Sequence, residues 1–113
     1  MQSDKLKIYL ASPYTSTSKS EQLERFVNAR NKTAELMHQG HVVFSPIAYS
    51  HQFHQHLGMP GDWSFWERYD TAFIEWDDEF WVLMLPGWQD SRGIQAELSI
   101  AGRLGKAIRY LEA

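Results

Sequence analysis

The chain has 113 residues, 43% hydrophobic, 14% aromatic and 22% charged, with a formal net charge of −3. That is one domain of ordinary globular composition, and its charge balance excludes a strongly basic nucleic-acid binder. Cysteine is absent, which excludes disulfides, thiolate metal sites and thiol nucleophiles.

No apolar run approaches the roughly 18 residues that span a bilayer, so no membrane partner is expected. The first seven residues lack a signal-peptide core, and the expected location is the cytoplasm. Leu6–Ala11 is a short apolar run and predicts a buried first strand. The polar segment Ser12–Ser18 predicts a loop, and Ser18-x-x-Glu21 a capping box that opens a helix. Leu23, Phe26, Val27, Ala34 and Met37 fall near one face of that helix, with Gly40 as its stop signal. His41–Phe44 predicts a second strand, ended by Ser45-Pro46. Ile47–Asp62 reads as the longest irregular segment, with Gly58, Pro60 and Gly61 favouring a loop or short turn. Ser64-x-x-Glu67 predicts a capping box and a helix to about Trp76. Glu79–Leu85 is continuous and apolar, hence a central strand. Pro86–Gly93 predicts a loop, Ile94–Leu104 a helix closed by Gly105, and Lys106–Leu111 a last strand.

Strands alternating with helices imply a parallel sheet with right-handed crossovers. Ligands in such sheets sit beyond the carboxyl ends of the strands. The loops after Ala11, Phe44 and Leu85 therefore surround one crevice.

Two carboxylates interrupt apolar helix faces. Glu97 lies three residues after Ile94 and four before Ala101, on or beside a stripe that includes Leu98 and Leu104. An inward carboxylate near a helix N-terminus is expected to be ionised, as a glycosyl-transfer nucleophile requires. Asp70 lies four after Trp66 and three before Phe73, on a face with Ile74 and Trp76. For both, the commoner outcome of such spacing is an edge carboxylate reaching solvent. Two inward carboxylates flanking the central strand could instead divide nucleophile and proton-donor roles.

Tyr9 is either core filler or a hydroxyl that orients a carboxylate or sugar, and Ser12, Tyr14 and Thr15 follow it at the crevice. Asp90, Ser91, Arg92 and Gly93 form an N-cap cluster that could also meet a phosphate or sugar. There is no Walker loop and no GxGxxG motif. His51, His54 and His56 match no metal signature, and solvated or pocket-lining histidines are the expectation, with no metal. All five tryptophans fall between Trp63 and Trp88. Most read as core or interface, while Trp63 and Trp88 sit at element edges where they could stack on a nucleobase.

Three separated pieces carry a resemblance. They are Ile8-Tyr9-Leu10-Ala11-Ser12-Pro13; Asp70 with Asp78 and the strand Phe80–Leu85; and Gly93-Ile94-Gln95-Ala96-Glu97-Leu98 with Ala101 and Gly105-Lys106. In order and spacing they resemble the nucleoside 2-deoxyribosyltransferase-like superfamily, which includes the transferases, the nucleoside 5′-monophosphate N-glycosidases and small bacterial relatives. The resemblance implies that Glu97 is the nucleophile at C1′, that Tyr9 holds it, and that Asp70 assists protonation of the leaving base. It implies a small nucleoside or nucleotide ligand, no metal or cofactor, and a homodimer or higher oligomer. Ser91 stands where the transferases commonly have Asp and the monophosphate glycosidases have Ser, which tilts towards a phosphorylated substrate; Arg92 agrees in charge.

The expected fold is one α/β domain over residues 1–113. It is a flavodoxin/Rossmann-like three-layer sandwich, with a mainly parallel sheet of about four strands in order 2-1-3-4 and three main helices. The expected function is N-glycosidic cleavage or glycosyl transfer. The alternative is a non-catalytic nucleotide- or nucleotide-sugar-binding module on the same scaffold.

Overall fold

The computed structural model describes residues 5–60 and 63–113. The sheet holds β1 (Lys7–Ala11), β2 (Val42–Phe44), β3 (Glu79–Met84) and β4 (Ala107–Glu112). All three pairings are parallel, in the order β2-β1-β3-β4. The helices are α1 (Lys19–His38), α2 (Pro46–Leu57), α3 (Trp63–Trp76) and α4 (Arg92–Arg103), with one 3-10 turn at Trp88–Asp90.

The central strands are apolar on both faces because both faces are covered. Tyr9, Ala11, Phe80 and Val82 point to one side, where they meet Ile74 of α3 and Ile94, Ile100 and Ala101 of α4. Ile8, Leu10, Trp81 and Leu83 point to the other and meet Leu36 of α1. The pairing of Tyr9 with Phe80 stacks their rings at 5.2 Å.

Four helices are present rather than three. Most of the segment expected to be irregular is α2, with Pro46 in its first turn and Ser45 as N-cap, accepting from Ala48 N at 3.1 Å. Proline preset the first turn, and Gly58 in the left-handed region closes the helix. Gly61 and Asp62 of that segment lie outside the described residues, as do Met1–Asp4. α2 stacks His51 on Phe26 of α1 at 4.0 Å and Tyr49 on Tyr69 of α3 at 5.8 Å, so it bridges the two helical layers beyond β2.

Several expected faces are corrected. On α1 the inward residues are Ala29, Thr33 and Leu36, while Leu23, Ala34 and Met37 are exposed. Phe26, from the expected stripe, is half-buried and packs on His51 of α2, so the two sets of residues meet different neighbours. Ser18 does cap α1, accepting from Glu21 N at 3.2 Å, but the Glu21 carboxylate binds Ser16 Oγ instead of closing a box. α3 spans Trp63–Trp76, so Ser64 lies within its first turn instead of before it. On α4, Leu104 is exposed and Ile100 takes the inward place.

Candidate active site

The loops after β1 and β3 and the starts of α2, α3 and α4 enclose a cavity of about 960 Å3. Of the residues expected at the site, Ser12, Tyr14, Trp63, Asp70, Asp90, Ser91, Arg92, Gly93 and Glu97 line it. Trp88 does not; its ring packs against Tyr110 at 5.6 Å and on the core beneath α4. Its place beside the crevice in sequence is undone by the 3-10 turn, which carries the ring to the β4 side. Tyr9 is fully buried and reaches the site only through its hydroxyl.

Glu97 is placed by the spacing Ile94–Glu97–Ile100–Ala101, which puts all four on the buried side of α4. Asp70 is placed in the same way, with Ile74, on α3. Each carboxyl residue is only 5% exposed. Neither reaches solvent as an edge carboxylate. The Tyr9 hydroxyl donates to Glu97 Oε2 at 2.5 Å and also stands within hydrogen-bonding influence of Asp70.

Burial sets the protonation of this trio. It raises Glu97 to about 8, against the opposing Tyr9 hydrogen bond and with help from the Asp70 charge. It raises Asp70 to about 7, again opposed by Tyr9. The Tyr9 hydroxyl is pushed well above 10 by burial, then by the Glu97 and Asp70 charges. The expectation that the helix dipole keeps Glu97 ionised is therefore corrected. Glu97 is the sixth residue of α4, beyond the first turn in which the dipole acts, and desolvation dominates.

The other polar groups are arranged around the pair. Ser91 caps α4, accepting from Ile94 N at 3.2 Å, next to Arg92 and Gly93. Ser12 Oγ and Asp70 Oδ1 are buried at the cavity without a protein partner. Such orphaned atoms are costly unless a ligand or water meets them. The histidines take separate roles. His51 Nδ1 lies 2.7 Å from the Tyr14 hydroxyl, His54 Nδ1 lies 2.8 Å from the Met59 carbonyl, and His56 is exposed. Among the described residues no three His, Cys, Asp or Glu side chains gather as a metal-ligand set.

Arg25, His54 and Trp66 also line the cavity; a pocket-lining histidine was among the expectations, while Arg25 and Trp66 were not marked as site residues. Arg25 of α1 donates to the carbonyls of Thr15 at 2.9 Å and Pro86 at 3.1 Å, pinning two crevice loops together. Its guanidinium passes 2.5 Å from where a Gly87 Cβ would be and would have to shift for one, while the φ of +89° at Gly87 is what favours glycine there. Nothing in the local pattern around Arg25 marks it. Trp66 carried a signal, its place beside Asp70 on the α3 stripe, that reads equally as core. Asp78, part of the sequence resemblance, accepts from Lys7 N at 2.9 Å near the amino ends of β1 and β3, away from the cavity.

No helix among the described residues is long and apolar enough to cross a membrane. A family model described as "Domain of unknown function (DUF1937)" matches residues 6–112. A search of curated proteins finds no match. Among solved structures, a 2-deoxyribosyltransferase from the psychrotolerant bacterium Bacillus psychrosaccharolyticus is similar, with a TM-score of 0.62 and 30% identity. The alignment covers 94% of this chain and 72% of that one.

Proposed function

The chain belongs to the DUF1937 family, a nucleoside deoxyribosyltransferase-like family, and from that premise we propose that it cleaves or exchanges the N-glycosidic bond of a nucleoside or nucleoside 5′-monophosphate. The observation that carries this reading is the pair of buried carboxyls, Asp70 and Glu97, which open on one cavity, with the Tyr9 hydroxyl donating to Glu97.

Ionised Glu97 attacks C1′ of the sugar. The C1′–N bond breaks, its electron pair leaves with the base nitrogen, and Asp70 gives that base a proton. Burial holds a proton on Asp70 to about pH 7 and on Glu97 to about 8, so Glu97 gives its proton to water in the open cavity before it attacks, and Asp70 keeps its own for the base. Positive charge developing on the sugar favours the ionised form of Glu97, and the Tyr9 hydroxyl keeps that carboxylate aimed. Water or a second base then takes C1′ from the glycosyl ester and frees Glu97. The step requires no metal or cofactor. Ser91, Arg92 and Gly93 at the start of α4 suit a 5′-phosphate, with free N–H groups, a hydroxyl and a guanidinium together.

The test is incubation with a panel of nucleosides and nucleoside 5′-monophosphates, with Glu97→Ala as control. Base is released by the wild-type chain and not by the variant. Equal release by both proteins, or by neither, removes the reading. One observation favours the non-catalytic binding module: Glu97 rises to about 8 and is a poor nucleophile until deprotonated. A ligand that raises the melting temperature yet is recovered intact would establish that alternative.

The cavity-bearing end also suits a homo-oligomer. Residues 41–61 contain no Lys, Arg, Asp or Glu, and Tyr49, Leu57, Phe65 and Tyr69 are exposed on α2 and α3. Aromatic enrichment with charge depletion is the composition of an interface core. Light scattering after size exclusion reads the state directly, and a monomer at micromolar concentration contradicts it.

A further inference from the structure

The α2–α3 side of the cavity contributes Ile47, Ser50, His54, Trp63 and Trp66. Two of these rings are tethered to consecutive carbonyls of the turn that follows α2. His54 Nδ1 lies 2.8 Å from the Met59 carbonyl oxygen, and Trp66 Nε1 donates to the Pro60 carbonyl at 2.7 Å. A carbonyl oxygen only accepts, so Nδ1 carries the His54 proton and donates it. In the neutral ring Nε2 is left as an acceptor, with no hydrogen-bond partner among the described residues.

The His54 ring is also held from the side. Tyr14 meets it edge-on, centroids 6.3 Å apart at 84°. Tyr14 is itself fixed, because Gln55 Nε2 donates to its hydroxyl at 3.3 Å. That leaves the hydroxyl proton for His51 Nδ1 at 2.7 Å. His51 in turn stacks on Phe26 at 4.0 Å. Phe26, His51, Tyr14 and His54 thus orient one another without any ligand, which is the support a specific contact needs.

We propose that His54 and Trp66 form the base-reading wall of the cavity, Trp66 stacking on the nucleobase and His54 Nε2 accepting from an exocyclic amino group. The site then prefers 6-aminopurine or 4-aminopyrimidine bases over their oxo counterparts. The proposal rests on the glycosidic reading above. An oxo group facing Nε2 sets lone pair against lone pair and leaves the Nε2 acceptor without the hydrogen bond that an amino group supplies. Stacking on Trp66 adds affinity without choosing between the two classes.

Calorimetric titration of Glu97→Gln protein, which cannot turn over, tests this with 2′-deoxyadenosine and 2′-deoxyinosine 5′-monophosphates. The amino base binds about 10-fold tighter, the worth of one hydrogen bond against an unpaired acceptor. His54→Phe in that background keeps a ring against Tyr14 and brings the two ligands within about 2-fold by weakening the amino base. Trp66→Ala weakens both alike. A second arm keeps His54 and replaces the amino ligand by the analogue lacking its 6-amino group, with the same loss expected. An undiminished preference in folded His54→Phe, or equal affinity for the analogue, overturns the inference and leaves the glycosidic reading standing. Binding of neither nucleotide, with no base released by the wild-type chain, overturns both.

Discussion

Replacing Glu97 by glutamine tests the electrostatics of the site apart from its chemistry. Burial raises this carboxyl from the ordinary 4.5 to about 8. Between those values the folded protein keeps a proton that the unfolded chain has released. The unfolded state therefore gains on the folded one as pH rises through that window, and stability falls. At about 1.4 kcal/mol per pH unit, holding Glu97 neutral at pH 7 costs about 3 kcal/mol relative to an unfolded chain free to ionise. Glutamine is neutral at every pH, fits the same space, and its side-chain oxygen still accepts from Tyr9. The variant is thus expected to be more stable than wild type at pH 7 by about 3 kcal/mol, or on the order of 10 °C in melting temperature for a domain of this size. At pH 4.5 the gain shrinks to below about 0.5 kcal/mol, because the folded carboxyl is then protonated and the unfolded one half protonated. Asp70 titrates with Glu97, so a variant changing both carboxyls gives less than the sum. Urea melts of both proteins at pH 4.5, 7 and 8 read the difference. A gain independent of pH, or a loss at pH 7, would refute the argument that burial governs this carboxyl.

Four further outcomes follow from particular contacts. Tyr9→Phe removes the hydroxyl that donates to Glu97, and base release should fall by about 10-fold or more while the fully buried ring still packs on Phe80. Lys106 lies 3.4 Å from buried Asp77 Oδ1, and Asp77 stands at about 6 because burial outweighs that cation. Lys106→Met should cost about 3 kcal/mol at pH 8 and clearly less at pH 5, where Asp77 is protonated, as chemical denaturation at the two pH values will show. Gly87→Ala meets both a φ of +89° and the Arg25 guanidinium, so a loss of about 1–3 kcal/mol is expected from thermal melts. A Cβ on Gly93 meets only Ser91 Oγ at 3.8 Å, so Gly93→Ala should fold as well as wild type yet bind nucleotide less tightly, because its methyl enters the cavity.

The sheet was legible in the sequence. Strands buried on both faces must be continuously apolar, and Leu6–Ala11 and Glu79–Leu85 could hardly be anything else. Alternation with helices then imposed parallel pairing, and the order β2-β1-β3-β4 agrees. Glu97 and Asp70 were legible as candidates, since a carboxylate inside an apolar stripe is an exception that local pattern exposes. α2 was not. Gly58, Pro60 and Gly61 near the end of Ile47–Asp62 suggested a loop, yet Pro46 starts a helix and Gly58 ends it.

What the tertiary structure alone decided is how these residues meet. Local spacing cannot tell which residues of α1 turn inward, nor that Trp88 folds towards Tyr110 while Trp66 turns to the cavity. It cannot bring Arg25 across from α1 to Pro86, 61 residues away in sequence. Least of all could it set the charge of Glu97. Sequence shows a helix N-terminus nearby, but the balance between dipole and desolvation depends on depth of burial, and depth exists only once strands and helices have closed around the side chain.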